Sequence, residues 1–237
     1  MAISLSGVDP NDPTPGFRRE YRPNSGIAGG ASGQRAAVIL CNKLSSVGSG
    51  SIDGKGDALD TPILLDGSEQ DVIDRCGRKS EALLLWKTFQ DHNRGVTPCY
   101  LLVSAPGSGS ATCDFTVANA ATARGTIRIS ALGENFDVGV ESGDSANTIA
   151  TALRAKINSD QMRYVPLVAT GSNATVTVTA SWAGTRGDHY VNKVRITVIT
   201  VGMATTVTKG SVTGGSTDDD QTNAIASLEL AGAHYQI

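Results

Sequence analysis

Residues 36–41, AAVILC, form an apolar run from which the fold of this chain can be worked out. The run has the length of a strand, and unbroken apolarity is typical of a strand that is buried on both faces. Residues 96–103 predict a second buried strand, and residues 62–65 predict a short strand between the two.

The stretch between these strands has a helical period. After residues 68–74 and Gly77, the segment 80–90 carries apolar side chains at helical spacing, which predicts a helix with one broad buried face. These side chains are Ala82, Leu83, Leu85, Trp86 and Phe89. Strand, helix and strand joined by short links are typical of an α/β layer, so residues 35–106 are expected to form the first part of an α/β core.

The pattern changes after the linker at residues 106–110, where apolar residues begin to alternate with period two. Residues 126–132 and 136–140 alternate on either side of a turn and predict a hairpin. Asp144 or Ser145 caps a predicted helix, which carries one apolar stripe and ends near Asn158. The stripe consists of Ile149, Ala150, Leu153 and Ile157.

Three more strands follow, at residues 164–169, 174–180 and 194–201, and their outer positions are rich in threonine. Residues 107–214 are therefore expected to form an inserted β-rich domain that contains one helix. Residues 215–237 are expected to return to the α/β core, through a helix ending near residue 231 and the first residues of another strand. A layer that stops at the opening of a strand predicts an incomplete core, whose closing part belongs to a longer chain or comes from elsewhere.

Proline and glycine dominate the first 34 residues. Pro10, Pro13, Pro15 and Pro23 interrupt any helix and cannot lie in a central strand, and a glycine-rich stretch follows them. One interpretation is a disordered terminus. The other is an extended arm that pairs with the sheet edge of a neighbouring subunit.

Composition excludes several classes of protein. The 237 residues carry a net charge of −3 with a pI near 5.6, which argues against a nucleic-acid partner. No apolar stretch approaches the ~20 residues of a membrane helix, and the start lacks the regions of a signal peptide. The chain is therefore expected to be made in the cytoplasm without membrane insertion. The four cysteines contain no CxxC pair, and buried thiols are expected, with Cys41 and Cys99 in apolar runs.

No motif supports an enzyme, a metal site or a cofactor. The histidines have no second ligand at metal-binding spacing, and Asp188-His189 is interpreted as a solvated turn. Residues 48–56 resemble a phosphate-binding loop but fail its spacing twice, which favours a surface loop. The aspartates at residues 218–220 suit the positive end of a helix better than a cation site.

A small-molecule or glycan-binding module is the alternative function. Trp182 and Tyr190 flank the most irregular loop of the β-rich insertion and could form a stacking site. Packing in the core is the favoured role of Trp182, because single aromatic residues commonly fill cores.

Four blocks of sequence, in order, carry a resemblance to a known family. They are PGF at residues 15–17 through NS at 24–25 to RAAVIL at 35–40; GDS at 143–145 with the helix stripe up to Asn158; WAGTRGD at 182–188; and GGSTDD at 214–219 leading into Ala224, Ile225, Leu228 and YQI at 235–237. With these blocks the chain resembles the N-terminal portion of the sheath subunit of contractile phage tails, in the branch typified by the long-tailed transposable phages.

The resemblance implies a structural protein of the virion, assembled in the host cytoplasm, and no enzyme. Family members stack as hexameric rings around the inner tail tube and contract to drive the tube through the host envelope. It implies an incomplete α/β sheath core with the β-rich domain inserted and an N-terminal arm at residues 1–34. Implied partners are neighbouring sheath subunits, the tail tube protein, and baseplate and neck proteins. The arm residues expected to contact a neighbour are Pro15, Gly16, Phe17, Arg18, Arg19, Tyr21 and Arg22.

Overall fold

The computed structural model describes residues 36–42, 59–93, 97–105, 107–217, 221–230 and 235–236. These residues belong to one compact unit, Arg35–Ile237. The described part of the chain forms three sheets and five α-helices.

Two parallel strands form the centre of the first sheet. β1 (Ala36–Asn42) pairs in parallel with β3 (Cys99–Ser104). β2 (Ile63–Leu64) flanks β3 in antiparallel orientation, and β11 (Tyr235–Gln236) flanks β1 in parallel. β1 lies between β11 and β3 in the order β11-β1-β3-β2, which confirms the strand predicted at residues 36–41. Its burial on both faces is partial, since Ala37, Val38 and Leu40 are half-buried.

Two helices pack on one face of this sheet. α1 (Glu69–Cys76) begins at Ser68, whose hydroxyl accepts a hydrogen bond of 3.1 Å from the Asp71 N–H and caps the helix. α2 (Glu81–Asn93) buries the face that its helical spacing predicts. The sheet and the two helices enclose a core of Ile39, Cys41, Leu65, Val72, Ala82, Leu83, Trp86, Cys99 and Leu101. We call β1–β3 with α1 and α2 the layer.

A second group of elements, residues 110–213, forms two antiparallel sheets, and we call it the β module. One sheet has the order β10-β4-β8-β7 and the other β6-β5-β9. The strands are β4 (Ser110–Ala118), β5 (Gly125–Ala131), β6 (Glu134–Val140), β7 (Leu167–Thr170), β8 (Thr175–Ala183), β9 (Arg195–Val198) and β10 (Thr206–Thr213). The helices are α3 (Ala146–Ile157) and α4 (Arg186–Lys193), and Asp160–Met162 forms a single 3-10 turn.

The predicted hairpin and the predicted helix of the β module are confirmed. β5 pairs with β6 along its whole length, with Ile127 opposite Val138. The Ser145 hydroxyl accepts from the Thr148 N–H at 3.2 Å, and Asn158 is the residue at the helix end. The four residues of the apolar stripe of α3 are all buried in the core that the two sheets enclose.

The prediction of one helix in this region is wrong, because α4 is a second helix. Its only buried residues are Gly187 and Val191, so the sequence carries no apolar stripe to reveal it. Asp188 and His189 therefore lie on a helix and not in a turn, with His189 exposed.

The strands of the β module also differ from the predictions in part. β4 was not predicted, although every second residue from Ala111 to Val117 is buried, which is the alternation of a half-buried strand. β10 was missed because it is largely exposed and has a bulge between Lys209 and Val212. β7 begins at Leu167 and not at residue 164, because the chain first makes the 3-10 turn.

The chain beyond the β module contains α5 (Thr222–Leu230), which contacts β3, and then β11. Both elements were predicted, with the helix shorter than expected. None of the helices in the described part of the chain is long and apolar enough to cross a membrane.

Candidate functional site

The seven arm residues singled out in the sequence, Pro15 to Arg22, lie outside the described residues. The same holds for the glycine-rich stretch 48–56, the aspartates at residues 218–220 and His234. The predictions made for these segments stay predictions.

The described side chains contain no group of three His, Cys, Asp or Glu residues that could hold a metal ion. Cys41, Cys99 and Cys113 are buried free thiols, as expected for the first two, and Cys76 is a half-buried free thiol. Burial raises the pKa of Cys99 to about 11, so the reactive thiolate form is disfavoured at neutral pH.

Trp182 is a core residue and not a ligand platform. Its side chain is fully buried, and its ring meets Tyr190 edge to face with the centroids 4.9 Å apart. A sugar ring cannot reach its face, so the stacking site considered for Trp182 and Tyr190 does not form. The favoured packing role of Trp182 is confirmed.

The site that the fold does build is a polar interface between the layer and the β module. Its first part surrounds Glu69, at the start of α1. Arg163 Nε donates to Glu69 Oε1 at 2.8 Å, and the Tyr164 hydroxyl donates to Glu69 Oε2 at 2.7 Å. Chiefly through its hydrogen bond with Arg163, the pKa of Glu69 is lowered, so the ion pair persists at mildly acidic pH.

Lys79, in the turn between α1 and α2, forms the second part of this interface. Its N–H donates to the Arg163 carbonyl at 3.0 Å, and its ammonium group donates to the carbonyls of Ile157 and Leu167, the latter at 3.0 Å. Ile157 ends α3, so the lysine supplies a donor where helix carbonyls have no partner within the helix. Beside it, Arg78 forms an ion pair with Asp160.

Glu81, at the start of α2, forms the third part. The side chain is fully buried, and one carboxylate oxygen accepts from Arg186 Nη2 of α4. The other oxygen accepts from the Asn42 N–H at 3.2 Å, so the same carboxylate links β1, α2 and α4. Glu81 is fully buried while Arg186 is 36% exposed, so loss of the arginine would leave a buried carboxylate without its cationic partner and destabilise the protein.

Two chain segments connect the layer with the β module: one precedes the module in the sequence and the other follows it. They are hydrogen-bonded to each other, with Ser216 N donating to the Ser108 carbonyl at 3.0 Å and Ser108 N to Thr217 Oγ1 at 2.7 Å. Gly214 has φ +128°, and a Cβ there would lie 2.0 Å from the Ser110 carbonyl oxygen. The two segments therefore pass each other in close contact, at a position that only glycine can occupy.

This interface can hold the layer and the β module in one orientation. Sequence reasoning missed it, because its charged residues are far apart in the chain and follow no period. Glu69 and Arg163 are 94 residues apart, and Glu81 and Arg186 are 105 apart. The nearest signal was the WAGTRGD block, which contains Arg186, but nothing in the block indicates an ion pair with a distant glutamate.

Comparison with known proteins identifies the family. No family model matches the chain. The chain is 32% identical over 165 residues to the Mu-like prophage FluMu tail sheath protein of Haemophilus influenzae. The match covers 68% of this chain and 33% of the relative, so the chain matches about a third of that protein's length. At this similarity, and with the resemblance found in the sequence, the chain belongs to the phage tail sheath protein family.

Proposed function

We propose that the chain is a structural subunit of a contractile phage tail sheath. In this role it polymerises as stacked hexameric rings around the inner tail tube and contracts to drive the tube through the host envelope. The observation that carries the proposal is the similarity to the FluMu tail sheath protein over 68% of the chain.

The proposed division of the chain follows from this role. Residues 35–106 and 215–237 contribute to the sheath core, which includes the parallel pair β1 and β3. Residues 107–214 form the inserted domain, and residues 1–34 form the arm. The buried members of the two described cores lie within residues 39–101 and 111–203, which supports this division, and the partly buried Tyr164 packs against the first core.

The proposed partners are other sheath subunits, the tail tube protein, and the baseplate and neck proteins, in the virion. The arm is proposed to donate its extended backbone to the sheet of a neighbour, because strand addition joins subunits by main-chain hydrogen bonds. Arg18, Arg19 and Arg22 add charge that can guide the docking.

Negative-stain electron microscopy tests the assembly. Because the chain matches a third of its relative, two forms are purified: the chain itself and the chain within the full reading frame that contains it. Tubes or stacked rings in either form are expected. Single compact particles from both forms, over a wide range of concentration, would contradict the proposal.

Arm variants test the role of residues 1–34 in the form that assembles. Deleting residues 1–33, or reversing the charges of Arg18, Arg19 and Arg22 to Glu, is expected to leave circular dichroism unchanged and to abolish connected rings. The matched control is Arg124→Glu, which changes an arginine of the β module that is 81% exposed. Sheaths of normal length from the deleted protein would overturn this prediction.

A further inference from the structure

The layer and the β module have separate apolar cores. In the described part of the chain, the core of the layer draws on residues 39–101 and that of the module on residues 111–203. Among the side chains assigned to these cores, Tyr164 is the one from the module that packs against the layer's core. Apolar burial therefore stabilises each part internally and contributes little to their relative orientation.

Polar contacts hold the two parts together instead. The Glu69–Arg163 pair keeps about a third of each side chain exposed, and the Arg78–Asp160 pair is more than half exposed. On the side of the connecting segments, a third pair joins the fully buried Glu81 to Arg186. Exposed and half-exposed ion pairs are weakened by salt. An interface of this kind can open without exposing a large apolar surface.

The connections between the two parts allow such a motion. Gly107 and Gly109 lie in one connecting segment, and Gly214 and Gly215 lie in the other. The hydrogen bonds between the segments keep them side by side at Ser108 and Ser216. The Gly184 N–H donates to the Gly109 carbonyl at 2.8 Å and the Thr185 N–H to the Thr217 carbonyl at 3.2 Å, so both segments stay attached to the β module beside Arg186. This side of the interface therefore has the properties of a pivot, about which the rest of the module can move.

We infer that the interface formed by Glu69, Arg78, Lys79, Asp160 and Arg163 is a salt-sensitive latch between two rigid parts. When the latch opens, the β module moves away from Glu69 and Lys79, while the side of the interface with the connecting segments and the Glu81–Arg186 pair stays closed and both apolar cores stay folded. When it closes, Glu69 and Lys79 fix the module through Arg163. The inference rests on these contacts and does not depend on the sheath function.

Hydrogen exchange of single amides, followed by NMR on the full chain, tests the latch. The Lys79 amide donates across the interface to the Arg163 carbonyl, so its exchange rate reports opening directly. Val178 in β8 and Leu101 in β3 are buried strand residues that report unfolding of the two cores. Local openings that leave a core folded increase exchange only at the amides that they expose.

The variants are Glu69→Arg, Arg163→Glu and the double variant, which exchanges the two charges. Each single variant is expected to speed exchange of the Lys79 amide about tenfold or more, and the double variant to restore it in large part. Raising NaCl to about 1 M should speed the same amide in the unaltered protein, which needs no substitution. Val178 and Leu101 should not change.

Arg128→Glu is the matched control, because it breaks the exposed Arg128–Asp137 pair inside the β module. It should leave the Lys79 amide unchanged. Equal exchange of Lys79 in all variants and salts would overturn the latch, since the ionic contacts would then not control opening. Acceleration of Lys79 together with Val178 and Leu101 would also overturn it, because the two parts would then open only by unfolding.

Discussion

Lys79 combines an unusual backbone with an unusual side-chain environment. Its φ is 62°, in the left-handed region that non-glycine residues seldom adopt, in the turn that joins α1 to α2. Such a conformation persists only where the surroundings hold it. Here the backbone N–H and the ammonium group together make three hydrogen bonds to carbonyls of the β module.

The protonation of Lys79 predicts a specific dependence of stability on pH. Burial lowers the pKa of Lys79 from 10.5 to about 8. The carbonyls oppose this shift, but a neutral amine can donate to them too, so burial dominates. Between pH 8 and 10.5 the unfolded chain therefore holds more protons than the folded chain, and this lysine makes the free energy of unfolding rise with pH.

The measurement compares the unaltered protein with Lys79→Met by urea unfolding at pH 7.5, 9 and 10. The free energy of unfolding of the unaltered protein, relative to that of Lys79→Met, is expected to increase by about 1–2 kcal/mol from pH 7.5 to pH 10. This figure allows for the partial exposure of Lys79. The raised pKa of Cys99 acts in the opposite direction, but it is common to both proteins and cancels. A difference that is flat or falls with pH would contradict the assignment.

At the scale of elements, the strands and helices meet at a few positions that allow no substitution. Gly214 follows β10 and lies against the start of β4, where any side chain would overlap the Ser110 carbonyl. Gly187 of α4 is similar, since its Cβ would lie 2.9 Å from the Cβ of Ala180 in β8. These contacts determine how closely α4 and the connecting segments approach the sheet β10-β4-β8-β7.

Gly214→Ala is expected to destabilise the protein by about 2–4 kcal/mol, because it adds a steric clash to a strained φ. Gly139→Ala is the matched control. Gly139 lies in β6 with a φ outside the left-handed region and no atom within 4 Å of an added Cβ. Its effect should stay within about 0.5 kcal/mol. Urea unfolding measures both, and equal stabilities of the two variants would show that the close contact at Gly214 does not constrain the fold.

At the scale of the whole molecule, the layer and the β module each have an apolar core of their own among the described residues, with a polar interface between them. A further small cluster on β1 and β3 consists of Leu102, Val38 and Leu40. A segment with its own core can fold without the rest of the chain. Residues 107–217 comprise about 110 residues, which lies within the usual range of a domain. The layer depends on segments distant in the chain, since β11 pairs with β1 across the whole β module.

We therefore expect residues 107–217 produced alone to fold cooperatively, with dispersed NMR resonances and a single unfolding transition. The interface side chains, such as Arg163 and Arg186, become exposed without their layer partners, which charged groups tolerate in water. A segment that binds hydrophobic dyes and lacks dispersed resonances would show that the module needs the layer in order to fold.

The elements that were predicted correctly from the sequence are those with a local periodicity of apolar residues. The run at residues 36–41, the hairpin β5–β6 and the stripe of α3 each bury one repeating set of side chains, and burial of that kind is encoded within a few neighbouring residues. The order of four short blocks, together with these elements, also indicated the sheath family, which the FluMu protein confirms.

The polar interface and α4 could not be found in that way. α4 buries only Gly187 and Val191, so no apolar period marks it. Glu69 and Glu81 look like ordinary acidic residues at the starts of helices, and their partners Arg163 and Arg186 lie about 100 residues further along the chain. Hydrogen bonds and ion pairs between residues distant in the chain depend on where folding places the two groups. The two glutamates and their arginine partners therefore come into contact only when the layer and the β module are packed side by side.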